Sequence, residues 1–192
     1  MFTGIITHLG KIVTATGSNL IIETDKELIH GLSKGGSVAV NGICLTVVSL
    51  IGNSFSIDFI PETAKKTNIK YWQIGNIVNL EVPATANSLL SGHIIQGHID
   101  TVAKLVTMAK EGNSHILKFA VSKALTKYIV EKGSIAINGI SLTVIKAGKD
   151  FFTVGIIPRT WDKTMLHIIK LGDFFNIEVD ILAKYVEKMI KV

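Results

Sequence analysis

Short apolar runs, separated by residues that favour turns, recur along the whole chain. The runs are rich in β-branched and aromatic residues, which favour β-strands. In the first half they predict strands over residues 20–22, 37–40, 45–50, 55–60 and 77–82. Gly52-Asn53 separates two of these runs and predicts a hairpin turn, and Asn-Gly pairs at 41–42 and 138–139 predict further turns. This is the pattern of an antiparallel β-protein.

The chain also repeats itself. Residues 36–47 and 133–144 agree at nine of twelve positions, and two of the three differences exchange Val for Ile. The third difference places Ser141 where the first copy has Cys44. Further blocks repeat in the same order, at an offset of 93 near the start of each copy and of 97 in the remainder. The sequence therefore predicts two related halves, each with its own small core.

The change of offset locates a difference in length between the two copies. It places four extra residues of the second copy between Val106 and Gly133, opposite the stretch from Val13 to Gly36. About six short strands in each half predict two tandem, similar, six-stranded antiparallel barrels. We expect an all-β protein with barrels over residues 1–93 and 94–180, followed by a C-terminal α-helix over 181–192.

Three segments carry helical signals. Ser122 can cap a helix over 123–131, which Gly133 would end, and the segment 63–71 can hold one or two helical turns. In the C-terminal segment the apolar residues fall at 181, 182, 185, 186, 189 and 190, with charged residues opposite. This stripe predicts an amphipathic helix. Its apolar face would pack either on its own barrel or on another subunit.

Composition and charge exclude several classes of protein. The 192 residues are 47% hydrophobic and 18% charged, which is typical of a globular chain. A net charge of +5 with scattered Lys and Arg gives no stripe for nucleic acid. No apolar run approaches the ~18 residues that cross a membrane, and the N-terminus has no signal-peptide pattern. A single cysteine excludes an intrachain disulfide, so we expect a cytoplasmic protein.

Cys44 is the first candidate for chemistry. A lone cysteine in an apolar run is commonly a small buried hydrophobe. Here the other copy has Ser141, and Thr46 and Thr143 follow two residues later, on the same face of each predicted strand. The two pairs can therefore line related ligand pockets with hydrogen-bonding groups. Cys44 would then act as a nucleophile or as a polar contact.

His93 and His98 are the next candidates. Their spacing of five places the rings on opposite faces of a strand with no further ligand nearby, so we expect no metal site. One of them can serve as a general base, because the pKa of histidine lies near neutrality. A histidine buried in the core or placed in a turn is the alternative.

Taken together, these motifs resemble those of the riboflavin synthase family. The resemblance is carried by residues 1–6, 41–47, 61–63 and 138–143, and by Gly92-His93 with Gly97-His98. It covers essentially the whole chain and implies Greek-key barrels that each bind one 6,7-dimethyl-8-ribityllumazine. The implied reaction is a dismutation, in which one lumazine gives a four-carbon unit to another. The products are riboflavin and 5-amino-6-(ribitylamino)pyrimidinedione, in the last step of riboflavin biosynthesis.

The resemblance further implies cofactors and partners. Such enzymes are transferases that use no metal and no organic cofactor. They are homotrimers held by the C-terminal helix, and the first barrel of one subunit faces the second barrel of another. Association with lumazine synthase, the enzyme that makes the substrate, is left open.

The resemblance also implies which residues form the two pockets. The first would use Gly4, Ile5, Ile6, Cys44, Leu45, Thr46, Asp58, Phe59, Ile60, Pro61, Glu62, Thr63, Gly97, His98 and Ile99. The second would use Lys132, Ser141, Leu142, Thr143, Gly155, Ile156, Ile157, Pro158, Arg159 and Thr160. The catalytic candidates are Cys44, His98, Ser141 and Asp180, with Phe2 and Ser37 in support. Cys44 would contact or activate the ring, and His98 would help to move protons.

Two other functions compete with the enzyme. Lumazine proteins share the fold but bind one flavin-like chromophore without catalysis, and a purely structural protein would need neither pocket. Loss of catalytic or second-pocket residues would favour a binding protein. This chain keeps Cys44, His98, Ser141 and Thr143, which favours the enzyme.

Overall fold

Two closed, six-stranded antiparallel barrels follow each other in the computed structural model, which describes residues 1–190. The first consists of β1 (His8–Thr16), β2 (Asn19–Glu23), β3 (Ser37–Val40), β4 (Ile43–Ile51), β5 (Ser54–Asp58) and β6 (Ile77–Glu81). Its strand order is β1-β2-β5-β4-β3-β6, and β6 closes the barrel by pairing with β1. The predicted all-β fold with two such barrels is confirmed.

The second barrel repeats the same connections. It consists of β7 (Thr101–Glu111), β8 (Ser114–Ala120), β9 (Ser134–Ile137), β10 (Ile140–Ala147), β11 (Phe151–Ile156) and β12 (Phe174–Val179). Even the β-bulges recur: the register shifts after Ile12 and Val47 in the first barrel and after Leu105 and Val144 in the second. Bulges bend and twist strands, so both copies close by the same local device.

The copies differ at one hairpin. In the first barrel the β1–β2 hairpin ends at the pair Thr16–Asn19. In the second, the β7–β8 hairpin continues to the pair Glu111–Ser114. The four-residue difference predicted from the offsets therefore lies in this longer hairpin.

Short helices connect the strands. They are α1 (Lys26–Gly31), α2 (Pro61–Lys66), α3 (Lys123–Thr126), α4 (Pro158–Lys163) and the C-terminal α5 (Ile181–Ile190), with 3-10 helices at Asn68–Tyr71 and Met165–Ile168. The helical turns predicted over 63–71 are confirmed, as is α5, whose predicted residues 191–192 lie outside the described part. No helix within residues 1–190 is long and apolar enough to span a membrane.

The predicted helix over 123–131 is wrong in length. α3 ends at Thr126, because the next amides donate to carbonyls three residues back: Tyr128 to Leu125, and Ile129 to Thr126. These bonds form tight turns rather than α-helix, and the Ser122 side chain makes no cap. The sequence pattern did not predict α1, which begins where the Asp25 carboxylate accepts a hydrogen bond from Leu28 N.

Each barrel encloses its own apolar core. The first core includes Phe55, and the second contains stacked Phe119 and Phe152 with Phe175 edge-on. A smaller cluster between the barrels contains Phe2, Ala39, Ile95 and Ala136, with Cys44 packed against it.

Buried asparagines join the two barrels through pairs of equivalent hydrogen bonds. Asn79 donates through Nδ2 to Asn138 O at 2.9 Å, and its Oδ1 accepts from Met165 N at 2.8 Å. Asn176 makes the mirrored bonds, to Asn41 O at 2.9 Å and from Asn68 N at 2.7 Å. Because these amides are fully buried, each bond replaces water that cannot reach the site. The network fixes how the two barrels face each other.

Candidate active site

Cys44 and Ser141 occupy equivalent positions at the start of β4 and β10. Each is preceded by an Asn-Gly turn in which both residues have positive φ, 45° and 77° in the first barrel and 46° and 79° in the second. These values favour glycine and asparagine and turn the chain tightly. The two turns pack against each other, since a Cβ on Gly42 would lie 2.5 Å from Gly139 N.

The segments that precede the two barrels cross to the opposite barrel. Gly97, ahead of the second barrel, accepts a hydrogen bond from Cys44 N at 3.0 Å in the first. Gly4, ahead of the first barrel, accepts one from Ser141 N at 2.9 Å in the second. A Cβ on either glycine would lie 2.6 Å from the Cβ of the residue it faces, so neither position has room for a side chain. We call residues 2–6 and 95–99 the crossing arms.

This crossing corrects the grouping expected from the sequence. The resemblance implies that Gly4, Ile5 and Ile6 belong to the Cys44 pocket, but Gly4 lies against Ser141 and Ile6 packs on the second core. Gly97 and Ile99 do lie with the first barrel, as expected: Gly97 contacts Cys44, and Ile99 packs on the first core. Each candidate site therefore combines one barrel with the arm that belongs to the other.

Two buried carboxylates hold the crossing arms. Glu81 accepts hydrogen bonds from Thr3 N and Oγ1, both at 2.7 Å, and from Gly4 N at 3.0 Å. Glu178 accepts from the backbone N of residues 96, 97 and 98 at 2.7, 2.9 and 3.1 Å. The sequence pattern did not single out either residue, although they are equivalent at the offset of 97 and each lies at or next to the end of an apolar strand.

Burial dominates the electrostatics of these carboxylates. It raises the pKa of Glu81, although the hydrogen bonds from Thr3 and Gly4 act in the opposite direction. Burial likewise raises the pKa of Glu178, to about 6. The amides of Gln96 and Gly97 and the charge of Lys184 lower it, while Asp100 raises it. Glu178 therefore titrates close to the neutral range.

His93 and Ser141 form a hydrogen-bonded pair. His93 Nδ1 lies 2.7 Å from Ser141 Oγ, and the buried Nε2 bonds to none of residues 1–190. Burial lowers the pKa of His93, and the charge of Asp180 partly offsets this. The ring is therefore neutral near pH 7 and can accept a proton. From the sequence, His93 is a candidate base with no assigned role. The periodicity could not reveal its contact with Ser141.

The remaining catalytic candidates have different surroundings. His98 has an exposed side chain, and its backbone N is fixed by Glu178. Asp180 accepts a hydrogen bond from Leu182 N where α5 begins. Phe2 is fully buried between the barrels and bridges to Ile95 through the backbone, so it supports an arm. Ser37 is half-buried on β3, opposite Thr46.

The predicted binding residues divide by exposure. Thr46 and Thr143 are exposed, and Cys44 and Ser141 are half-buried on the same strand faces. Leu45, Leu142 and Ile156 are buried in the barrel cores instead, so their side chains are packing residues and not ligand contacts. This corrects the expectation for these three side chains. Lys132 is exposed with φ of 66°, in the turn before β9.

Each site has a lip between a barrel strand and a Pro-initiated helix. The first lip, residues 58–63, runs from the end of β5 into α2, and the second, residues 155–160, runs from β11 into α4. Both present an exposed isoleucine, Ile60 and Ile157. A cavity of about 530 Å³ opens at the first lip. Another cavity, of about 500 Å³ between the barrels, is lined by Asn68, Trp72 and Phe174 and by none of the predicted site residues.

Comparison with known proteins decides the family. The lumazine binding domain matches the chain twice, over residues 3–83 and 96–180. Riboflavin synthase of Photobacterium phosphoreum is 37% identical over 196 residues, covering 100% of this chain and 90% of the relative. That of Actinobacillus pleuropneumoniae is 39% identical over 193 residues, covering 99% and 90%. This chain belongs to the riboflavin synthase family.

Among solved structures, LumP has a fold similar to that of this chain. LumP complexed with riboflavin superimposes with a TM-score of 0.84 at 27% identity, covering 93% of this chain and 99% of LumP. This riboflavin synthase family member is thus closer in sequence to the riboflavin synthases named above than to LumP. Within residues 1–190, no three His, Cys, Asp or Glu side chains are grouped as metal ligands.

Proposed function

We propose that this chain is a transferase that converts two molecules of 6,7-dimethyl-8-ribityllumazine into riboflavin and 5-amino-6-(ribitylamino)pyrimidinedione. The two lumazine binding domains, together with full-length similarity to riboflavin synthases, carry this proposal. One substrate loses four carbons and the other gains them, so atoms balance without an oxidant or further co-reactant. Holding two identical rings in two related sites supplies rate through orientation.

The second barrel offers a proton acceptor. The neutral His93 ring can take a proton through Ser141 Oγ, 2.7 Å away, and the Asp180 charge stabilises the resulting imidazolium. We assign this pair to the C7-methyl group of a bound lumazine, which must lose a proton before its carbon can form a bond. Thr143, Lys132 and residues 155–160 would bind that substrate, together with Gly4 and Ile5.

The first barrel offers a different group at the equivalent position. Cys44 Sγ can contact or add to C7 of the second lumazine, and His98 would move protons beside it. Thr46, residues 58–63 and the arm from Gly97 to Ile99 would bind that substrate. Ser37 would support Thr46 across the β3–β4 pair. The difference between Cys44 and Ser141 would then give two identical substrates unequal roles.

The chain would act as a homotrimer. Polar bonds hold one side of α5 on its own barrel: Lys184 pairs with Asp100 at 2.6 Å, and Glu187 bonds to Lys127 and Tyr128. The apolar residues Leu182, Tyr185, Val186, Met189 and Ile190 remain more than half exposed. This supports the subunit-contact alternative for the helix. Cytoplasmic localisation and association with lumazine synthase remain predictions.

One assay tests the reaction. Purified protein is incubated with the lumazine, and riboflavin is followed by its visible absorbance. We expect turnover in the native protein and a loss of at least about tenfold in Cys44→Ser and His98→Gln. Lumazine binding without turnover would favour a LumP-like binding protein, and absence of binding would contradict both functions. Turnover within about twofold of native in both variants would overturn the roles of Cys44 and His98.

A further inference from the structure

The two lips differ in the space beside them. At the first lip, the cavity of about 530 Å³ is lined by Gly17, Ser18, Asp58, Phe59, Ile60 and Pro61. Gly17 and Ser18 form the short turn between β1 and β2, and Ser18 O accepts a hydrogen bond from Phe59 N at 3.0 Å. The edge of the first-barrel site is open here because the hairpin ends at this level.

The longer hairpin places a ring at the equivalent point of the second barrel. His115 pairs with Ile156 in the β8–β11 ladder, so it stands where Ser18 stands opposite Phe59. At the offset of 97, Trp161 on α4 stands where Ala64 stands on α2. The two rings stack, with centroids 3.7 Å apart and planes inclined by 14°. A pair of aromatic rings thus replaces a hydroxyl and a methyl group.

Trp161 is anchored by packing and by its backbone, and His115 is half-buried beside it. Trp161 packs against the second core, and Trp161 N donates to Ile157 O of the second lip at 3.0 Å. The Nδ1 atom of His115 is buried and bonds to none of residues 1–190. A ligand that enters along this edge would have to displace the stack or bind beside it, whereas the first lip offers space.

We propose that His115 and Trp161 are specificity-determining residues that close the edge of the second-barrel site, so that it binds riboflavin more weakly than the first-barrel site does. This inference rests on the proposed function, because it assumes that each lip binds a lumazine-type ligand. The repeated chain would thereby bind its larger product unequally in two sites of common origin. Where the larger ligand enters along this edge, its binding must separate the stacked pair, which opposes binding at that site.

The test exchanges the differing residues between the barrels and titrates riboflavin against the full chain. Native protein should show two classes of site that differ at least about tenfold in Kd. His115→Ser with Trp161→Ala, which copies the first barrel, should tighten the weaker class about tenfold and bring the two together. Ala64→Trp should weaken the tighter class. Trp161→Phe, which keeps a ring for stacking, should leave both classes near their native affinity.

Two further measurements keep the outcome decisive. In a Trp72→Phe background Trp161 is the remaining tryptophan, so its emission reports occupancy of the second site directly. If the double variant fails to fold, His115→Ser alone should still tighten the weaker class, by about threefold or more. Unchanged or weaker second-site binding after opening the stack would overturn the proposal. Failure of native protein to convert lumazine would instead overturn the proposed function, since the titrations do not depend on turnover.

Discussion

The Nδ1 atom of His93 lies 2.7 Å from Ser141 Oγ, and burial lowers the pKa of the His93 ring. This relationship supports the proposed base of the second barrel, which the sequence pattern alone did not assign. Ser141 occupies the position equivalent to Cys44, so the base is attached to the main chemical difference between the two copies.

Replacing this base should affect turnover more than binding. His93→Gln keeps a hydrogen-bonding side chain but removes the proton acceptor, so we expect kcat to fall by about 10²-fold. KM for the lumazine should change by less than about threefold. His30→Gln, on the exposed side of α1, serves as the control and should be neutral. Equal losses in both variants, or a change confined to KM, would contradict a role in proton transfer.

The carboxylate that holds the second arm should set an acidic limit on activity. Glu178 has a pKa of about 6. Protonation turns one of its two carboxylate oxygens into a hydroxyl, which is a weaker acceptor for the three backbone N–H donors. We therefore expect kcat/KM to fall as the pH drops below about 6. Glu178→Gln should be about tenfold less active and should lack this acidic limb. Glu81→Gln, which loosens the other arm, should retain it. An unchanged limb in Glu178→Gln that disappears in His93→Gln would assign the titration to His93.

The same pKa also predicts how stability depends on pH. Between pH 4.5, the ordinary value for Glu, and about 6, the folded state holds the proton of Glu178 more tightly than the unfolded chain does. This contribution to the free energy of unfolding therefore declines as the pH rises through that window, by about 2 kcal/mol. Urea denaturation at several pH values should show that Glu178→Gln removes this part of the slope. An identical slope in the variant would contradict the predicted titration.

Gly97 should tolerate no side chain. Its φ is +79°, and a Cβ would lie 2.6 Å from Cys44 Cβ, so Gly97→Ala combines backbone strain with a clash. We expect a loss of about 2 kcal/mol or more in stability and of at least about tenfold in turnover. Gly52→Ala, in the turn between β4 and β5, separates the two effects, because Gly52 has a φ of +59° with no atom within 4 Å. If both variants lost activity equally, the contact between Gly97 and Cys44 would not matter.

The asparagine network between the barrels should contribute strongly to stability. Asn79→Ala removes a donor to Asn138 O and an acceptor for Met165 N, and it leaves two buried backbone groups unpaired. We expect a loss of about 2–4 kcal/mol in urea denaturation. Asn53→Ala, in the exposed turn between β4 and β5, should change stability by less than about 0.5 kcal/mol. A similar small effect of Asn79→Ala would show that water replaces the missing bonds.

Charge on the exposed face of α5 should separate the subunits. Val186 is 53% exposed and lies within the apolar stripe, so Val186→Lys should dissociate the proposed trimer without unfolding the chain. Light scattering after size exclusion gives the mass, and circular dichroism checks the fold. Lys188→Ala is the control on the same helix. A native protein that is already monomeric would contradict the proposed assembly.

The sequence predicted those parts of the fold that repeat locally. The Asn-Gly turns, the two barrels and the stretch that holds the four extra residues all followed from periodicity and from the two offsets. The contact between Gly4 and Ser141 did not, because it joins residues far apart in the chain and no pattern encodes which barrel an arm meets. The family resemblance implies that Leu45 and Leu142 line the pockets. Strand alternation instead assigns them to the cores, on the strand face opposite Cys44 and Ser141. The contact between His93 and Ser141 depends on the same crossing, so it could not be predicted from the sequence pattern.

The crossing arms have a consequence for how such a chain could arise or be divided. A single barrel cut from this chain would keep its own arm but lose the one that completes its site. Two separate copies could restore every contact only by exchanging arms, as domain-swapped dimers do. The fused chain therefore resembles an internal swapped dimer, in which each half supplies the arm that contacts Cys44 or Ser141 of the other.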